Sequence, residues 1–229
     1  MSAAELVNRV LRPLGVRLTR ARPAGWRVGR AASGVSTLID VGCAWGTPEF
    51  YATAPKAELF LVDPVAEYEA AIKRILTQRP GSYTLTALGA GSGTLELNVE
   101  LDAPTRSSAL ARTELTRTGG RIERRRVPVT TLDALVERHS LRPPFGLKID
   151  AEGYELEILR GAESTLRETR FVVAETSVQR RFAGSYRFLD LLQLMDASDF
   201  VLESVLHAGT DRAGVVRYLD LLLTNKRAA

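Results

Sequence analysis

Short apolar runs alternate with amphipathic stretches along most of the chain. STLIDVG (36–42), ELFLVD (58–63), YTLTALG (83–89), FGLKID (145–150) and RFVVAET (170–176) read as buried strands. Helical periodicity runs through VAEYEAAIKRILTQ (65–78), GYELEILRGAESTLRE (153–168) and SYRFLDLLQLMDAS (185–198). This order predicts an α/β domain with a mostly parallel sheet and helices on both faces. FVLESVL (200–206) and VVRYLDLLLTN (215–225) are separated by the short loop HAGTDRAG, so they should pair antiparallel.

Two regions depart from the alternation. In 93–129, GTLELNVE and IERRRVPV have the pattern of half-exposed strands around a polar segment. At the start, ELVNRVLR (5–12) has helical spacing, and 20–34 is a linker-like stretch of Arg, Gly and Ala. The expected organisation is therefore an N-terminal helix and linker over 1–34, and one domain over 35–229. The N-terminal helix should dock on the body; a weak membrane-surface contact through this basic segment is its other use.

Composition narrows the class. The 229 residues are 45% hydrophobic and 25% charged, as in soluble globular domains. No apolar run approaches the roughly 18–20 residues of a membrane span, and no secretory leader is evident. The single cysteine, Cys43, excludes an internal disulfide or a cysteine metal cluster and suits the cytoplasm. The net charge is +4, and its densest cluster is RIERRR, Arg121–Arg126. It reads as a solvated strand edge, with binding of an anionic partner as the second use. No interleaved aromatics or known motif supports nucleic-acid binding.

Ligands of open parallel sheets bind beyond the carboxyl ends of the strands. There the first strand ends in Asp40, Gly42 and Gly46. A dinucleotide fingerprint starting at Gly42 would need glycines where Ala44 and Thr47 stand. The remaining pattern, D-x-G-x-x-x-G, places a carboxylate where it would meet an α-ammonium and repel a pyrophosphate. It points to S-adenosylmethionine rather than NAD, with the backbone of Gly42, Cys43 and Gly46 against the cofactor. Asp63, 23 positions after Asp40, ends the second strand and can accept ribose hydroxyls, or can cap the next helix. Leu88 and Gly89, ending the third run, would lie beside the base.

The fourth run leads into LKIDAEGYELEILRGA (147–162). With LIDVGCAWG, Asp63-Pro64, VTTLDAL (129–135) and VVAET (172–176), this segment resembles the FkbM family of methyltransferases over residues 36 to 225. Lys148, Ile149, Asp150, Glu152, Gly153, Glu155, Leu159, Gly161 and Ala162 meet the family's K-I-D-x-E-G-x-E-x-x-x-L-x-G-A pattern. Ala44, where the family often has Asn, and Asp63, where it often has Glu, depart from it. The resemblance implies a Rossmann-like class I methyltransferase fold, seven-stranded with an antiparallel last strand. It also implies methyl transfer from S-adenosylmethionine to a hydroxyl of a sugar, glycolipid or secondary metabolite. The competing readings are an NAD-dependent oxidoreductase and a non-catalytic binding module on the same fold.

Residues i and i+2 of a strand share a face, so Lys148 and Asp150 are neighbours. Asp150 is the first candidate for a base or acceptor-orienting group, and it also borders the cofactor. Glu152 either positions substrate or caps the following helix. Lys148 is expected to balance nearby carboxylates, Glu175 among them. No metal is expected, although Asp150 and Glu175 could bridge a cation. Glu155 and Glu157 are expected as helix-surface charges. His139 is expected to be structural and His207 to lie in a surface loop on the ligand edge. Partners reduce to a small-molecule or glycan acceptor.

Overall fold

The structure is a computed structural model and describes residues 28–116 and 119–228. The expected helix at 5–12 and most of the linker lie outside the described residues. Where the linker is described, it packs. Val28 and Ala31 are buried in the apolar cluster that also holds Leu38 and Phe171.

Among the described residues ten strands form two sheets. The main sheet holds β1 (Thr37–Val41), β2 (Glu58–Val62), β3 (Gly81–Thr84), β7 (Phe145–Ile149), β8 (Thr169–Ser177), β9 (Phe200–Thr210) and β10 (Val216–Asn225). Their order is β3-β2-β1-β7-β8-β10-β9. Neighbours are parallel except along β10, which runs antiparallel between β8 and β9. The second sheet holds β4 (Ala87–Leu88), β5 (Gly93–Glu100) and β6 (Ile122–Thr130) in the order β4-β6-β5.

Two apolar clusters flank the main sheet. One contains Ile39, Phe60, Leu147 and Ala174 from the strands. It is covered by α3 (Leu132–Arg138), α4 (Glu155–Arg160), α5 (Glu163–Arg167) and α6 (Phe188–Ala197). The other contains Leu38, Leu59, Phe171 and Leu222. It is covered by α1 (Pro48–Tyr51), α2 (Glu69–Leu76) and apolar residues of the small sheet. Near-continuous apolar strands are what two-sided burial requires.

Two boundaries differ from the pattern-based expectation, and a third segment gains its assignment. YTLTALG is two strands, because β3 stays in the main sheet while β4 crosses to pair with β6. The helix expected over 153–168 breaks at Gly161, the C-cap of α4. A Cβ there would sit 2.1 Å from the carbonyl oxygen of Gly89, so the glycine permits a close crossing of backbones. VTTLDAL contains the start of α3, whose Thr131 hydroxyl accepts from the Ala134 N–H as an N-cap.

Candidate active site

A cavity of about 390 Å³ opens at the carboxyl ends of β1, β2, β7 and β8. Gly42, Cys43, Gly46, Asp63, Leu88, Asp150 and Glu152 all line it. Asp40 and Gly89 do not.

Asp40 stands behind the wall. It is 0% exposed and is the register neighbour of Lys148 across β1 and β7. Its Oδ2 accepts from the Tyr51 hydroxyl at 2.8 Å, and its Oδ1 lies 3.2 Å from Lys148 Nζ. Both oxygens are engaged inside the protein, so Asp40 holds the glycine turn from below rather than facing a ligand. Gly89 donates to the Thr130 carbonyl and serves the close crossing of α4.

Lys148 closes this arrangement. Its ammonium also donates to the Gly42 carbonyl at 3.3 Å and lies 3.7 Å from Asp150 Oδ2. Burial alone would pull the lysine pKa down; Asp40 and Asp150 reverse this and hold it above the usual value. Gly42 adopts φ +70°, and a Cβ there would stand 1.8 Å from the Asp150 carbonyl oxygen. The glycine turn and the end of β7 are thus pressed together, and only glycine fits.

Asp63 ends β2. Its Oδ2 accepts from the Ala44 N–H and its Oδ1 from the Val65 N–H, each at 2.9 Å. Burial pushes its pKa up to about 6, against these two hydrogen bonds. A carboxylate has about four lone-pair sites, so two remain for hydroxyl donors in the cavity. Val65, Tyr68, Ala87 and Leu88 form an apolar slot beside it. Trp45, 65% exposed, stands edge-on to Tyr68 at the mouth.

The acidic turn after β7 has its own scaffold. Glu152 at φ +47° and Gly153 at φ +96° reverse the chain. Glu155, expected on the surface, is 1% exposed. Its Oε1 accepts from the Ala151 and Gly153 N–H groups, and its Oε2 from the Tyr186 hydroxyl. Satisfying the turn's backbone requires a carboxylate inside, and burial pushes its pKa up to about 7. Glu157 stays near the surface, paired with Arg160. Glu152 caps no helix; its carboxylate pairs with Arg181 at 2.8 Å and Arg112 at 3.4 Å.

Arg181 escaped the sequence reading. It lies in the loop after β8, where it joins Glu152 to Glu175 and stacks on the Phe182 and Tyr218 rings. Burial, with Asp150 close by, raises the Glu175 pKa, and Arg181 opposes this. Arginines that bridge two carboxylates in a strand-end loop leave no periodic signal. The only hint was their position after a carboxyl-terminal strand edge. Arg112 and Ser108 come from the polar segment after β5, which covers the cavity. The Ser108 hydroxyl donates to the Glu152 carbonyl at 2.7 Å, and Pro104, Thr105 and Ala109 join the wall.

His207 also lines the cavity, from within β9 rather than from a loop. His139, at the end of α3, packs on Phe60 outside it. Among the described residues no group of three or more His, Cys, Asp or Glu could hold a metal ion, and Glu175 is engaged by Arg181. The arginines in and just before β6 are largely answered by carboxylates. Arg121 meets Asp102, Arg124 meets Glu96, and Arg125 meets Glu67 and Glu123.

A glycine turn, an acidic residue ending β2 and a carboxylate after β7, all at one sheet edge, define a Rossmann-like methyltransferase fold. The family model described as the methyltransferase FkbM domain matches residues 34–202, and the chain belongs to that family. Among solved structures, an FkbM methyltransferase from Methylobacillus flagellatus aligns with TM-score 0.51 and 15% identity. That alignment covers 83% of this chain and 43% of the other, so this chain spans under half of that protein. An rRNA methylase from Streptococcus thermophilus aligns at TM-score 0.48 and 12% identity over 91% and 100% of the two chains. The magnesium protoporphyrin IX methyltransferase of Synechocystis, solved with bound SAM, aligns at 0.42 and 10% over 96% and 77%. No curated protein matches the sequence.

Proposed function

We propose that this protein is an S-adenosylmethionine-dependent O-methyltransferase acting on a hydroxyl of a sugar, glycolipid or secondary metabolite. The observation that carries this reading is the cavity that joins the Gly42–Gly46 turn and Asp63 to Asp150. The residues present suit the cofactor. The glycine turn leaves room for its methionine moiety, Asp63 retains acceptor sites for ribose hydroxyls, and the slot around Leu88 suits its base. When bound, S-adenosylmethionine supplies a methyl carbon activated by the adjacent sulfonium.

The chain's own part is placement. The Asp150 side chain, 38% exposed beside Lys148, accepts a hydrogen bond from a hydroxyl of the acceptor and so places the reacting oxygen. Glu152 and Glu175, held by Arg181, fix the floor on which the acceptor rests. The segment carrying Ser108 excludes water from above. The ion-paired arginines of β6 favour a small acceptor over nucleic acid. Cytoplasmic residence fits the single cysteine. Among the described residues no helix is long and apolar enough to cross a membrane.

Titration calorimetry with S-adenosylmethionine and S-adenosylhomocysteine tests the cofactor. An absence of binding at roughly 1 mM ligand would sink the reading, whereas NADH binding would favour the oxidoreductase. Asp150→Asn is expected to cut turnover about 10²-fold through misplacement of the hydroxyl, with the chain still folded.

A further inference from the structure

The far side of the cavity carries a row of groups that runs on from Glu175. Glu175 on β8 is the register partner of Asp220 on β10, and Asp220 is the partner of His207 on β9. All three line the cavity. Directly opposed residues of antiparallel strands share a face, so the row crosses three strands on one side of the sheet.

A β-bulge makes the row possible. Leu221 pairs with Val205, and the next residue, Asp220, pairs with His207. Leu206 is therefore the extra residue. It packs on the cluster containing Val173 and Leu222, while His207 beside it faces the cavity. In regular pleating two consecutive side chains would point to opposite faces. The bulge aims both the same way, as bulges beside functional sites do.

The neighbours of His207 are acidic or neutral. Tyr218, on β10, has its ring centroid 5.9 Å from the imidazole. That ring is trapped between Gly209, where a Cβ would stand 2.1 Å from it, and the Arg181 guanidinium. The Asp220 carboxylate forms no hydrogen bond or ion pair with another described residue. Burial, with Asp150 close by, raises its pKa, and His207, Lys148 and Arg181 oppose this. Glu175 is engaged by Arg181, and Asp150 shares Lys148 with Asp40. On β9 itself Glu203 lies beside Gly29 and does not line the cavity. His207 thus sets its ring nitrogens next to a carboxylate with no side-chain partner among the described residues, and it is open to solvent on its outer side.

We propose that His207 is the catalytic base that takes the proton of the acceptor hydroxyl, and that Asp220 stabilises the imidazolium that forms. The inference rests on the O-methyl transfer reading above. As the acceptor's O–H bond breaks, its proton passes to a ring nitrogen of His207. The freed electron pair of oxygen forms the O–CH₃ bond, and the pair of the broken S–CH₃ bond stays on sulfur. The proton then leaves to water from the exposed side of the ring. Imidazole suits this task because its reference pKa lies near neutrality. Asp150 keeps its orienting role through another hydroxyl of the acceptor, because the single proton of the reacting O–H goes to His207.

The test uses the full chain, methyl-labelled S-adenosylmethionine, and a panel of methyl glycosides plus a hydroxylated-metabolite extract as acceptors. His207→Ala should lower kcat about 10²-fold or more and abolish its fall at acid pH. S-adenosylhomocysteine affinity and melting temperature should not change. Added imidazole should restore part of the lost rate, which a merely structural histidine would not allow. Asp220→Asn should lower kcat about tenfold with little change in KM. The proposal is overturned if His207→Ala stays within about threefold of wild type. Equally, it is overturned if that variant loses cofactor affinity in step with rate, or if imidazole has no effect. A wild-type protein that binds the cofactor but labels no hydroxyl compound overturns the O-methyl transfer reading itself.

Discussion

Lys148→Met removes the cation that answers Asp40 in the sheet. The ammonium sits 3.2 Å from Asp40 Oδ1 and 3.7 Å from Asp150 Oδ2. With an effective dielectric constant of about 20, these separations correspond to gross attractions of about 5 and about 4.5 kcal/mol. Much of this is offset by desolvation of the ions, and the Asp150 contact is screened because that side chain reaches solvent. The variant, however, leaves Asp40 buried with only the Tyr51 hydroxyl as donor. Removing one partner of a buried pair costs about 3–5 kcal/mol. For a domain of this size that lowers the melting temperature by about 6–20 °C. The lysine pKa is raised above its ordinary value, so its stabilisation is complete at neutral pH and is lost only in strong alkali. Urea unfolding followed by circular dichroism measures the loss. Asp40→Asn with Lys148→Met should recover more than half of it, because the uncompensated charge is gone. A loss under about 1 kcal/mol, or a double variant as unstable as the two single losses added, would refute the assignment of Lys148 as a charge balancer.

Two further outcomes follow from the turns around the cavity. Glu155, at about 7 in the fold against an ordinary carboxyl near 4.5, favours folding when protonated, so its contribution is full below about pH 4.5 and is lost as pH rises through 7. Glu155→Gln keeps the acceptor for Ala151 and Gly153 and can donate to Tyr186. It should flatten the pH dependence of the urea midpoint over that window, by on the order of 2–3 kcal/mol, and an unchanged slope counts against it. Gly42→Ala forces a Cβ against the Asp150 carbonyl at a left-handed backbone position. It should cost more than about 1–2 kcal/mol and abolish S-adenosylhomocysteine binding by calorimetry; retained affinity would show that the turn does not shape the cofactor site.

Much of the arrangement was legible in local patterns. Period-two and period-3.6 spacing located the strands and helices of the main sheet, because facing a core constrains each residue separately. Glycine and carboxylate at strand ends marked Gly42, Asp63 and Asp150, since these types are disfavoured in buried strands without a reason. The local pattern placed Asp40 against a ligand, whereas the fold spends it on Tyr51 and Lys148. It placed Glu155 on the surface, whereas α6 and Tyr186 cover it.

The chain by itself thus determined the class of fold, the edge that carries the site, and the residues bordering the glycine turn. Tertiary structure alone decided that Arg181 joins Glu152 to Glu175, that YTLTALG divides between two sheets, and that a bulge at Leu206 turns His207 inward. The physical reason is range. Periodicity and turn chemistry act over a few residues, but charge pairing, strand register and burial depend on which distant segments close over a position.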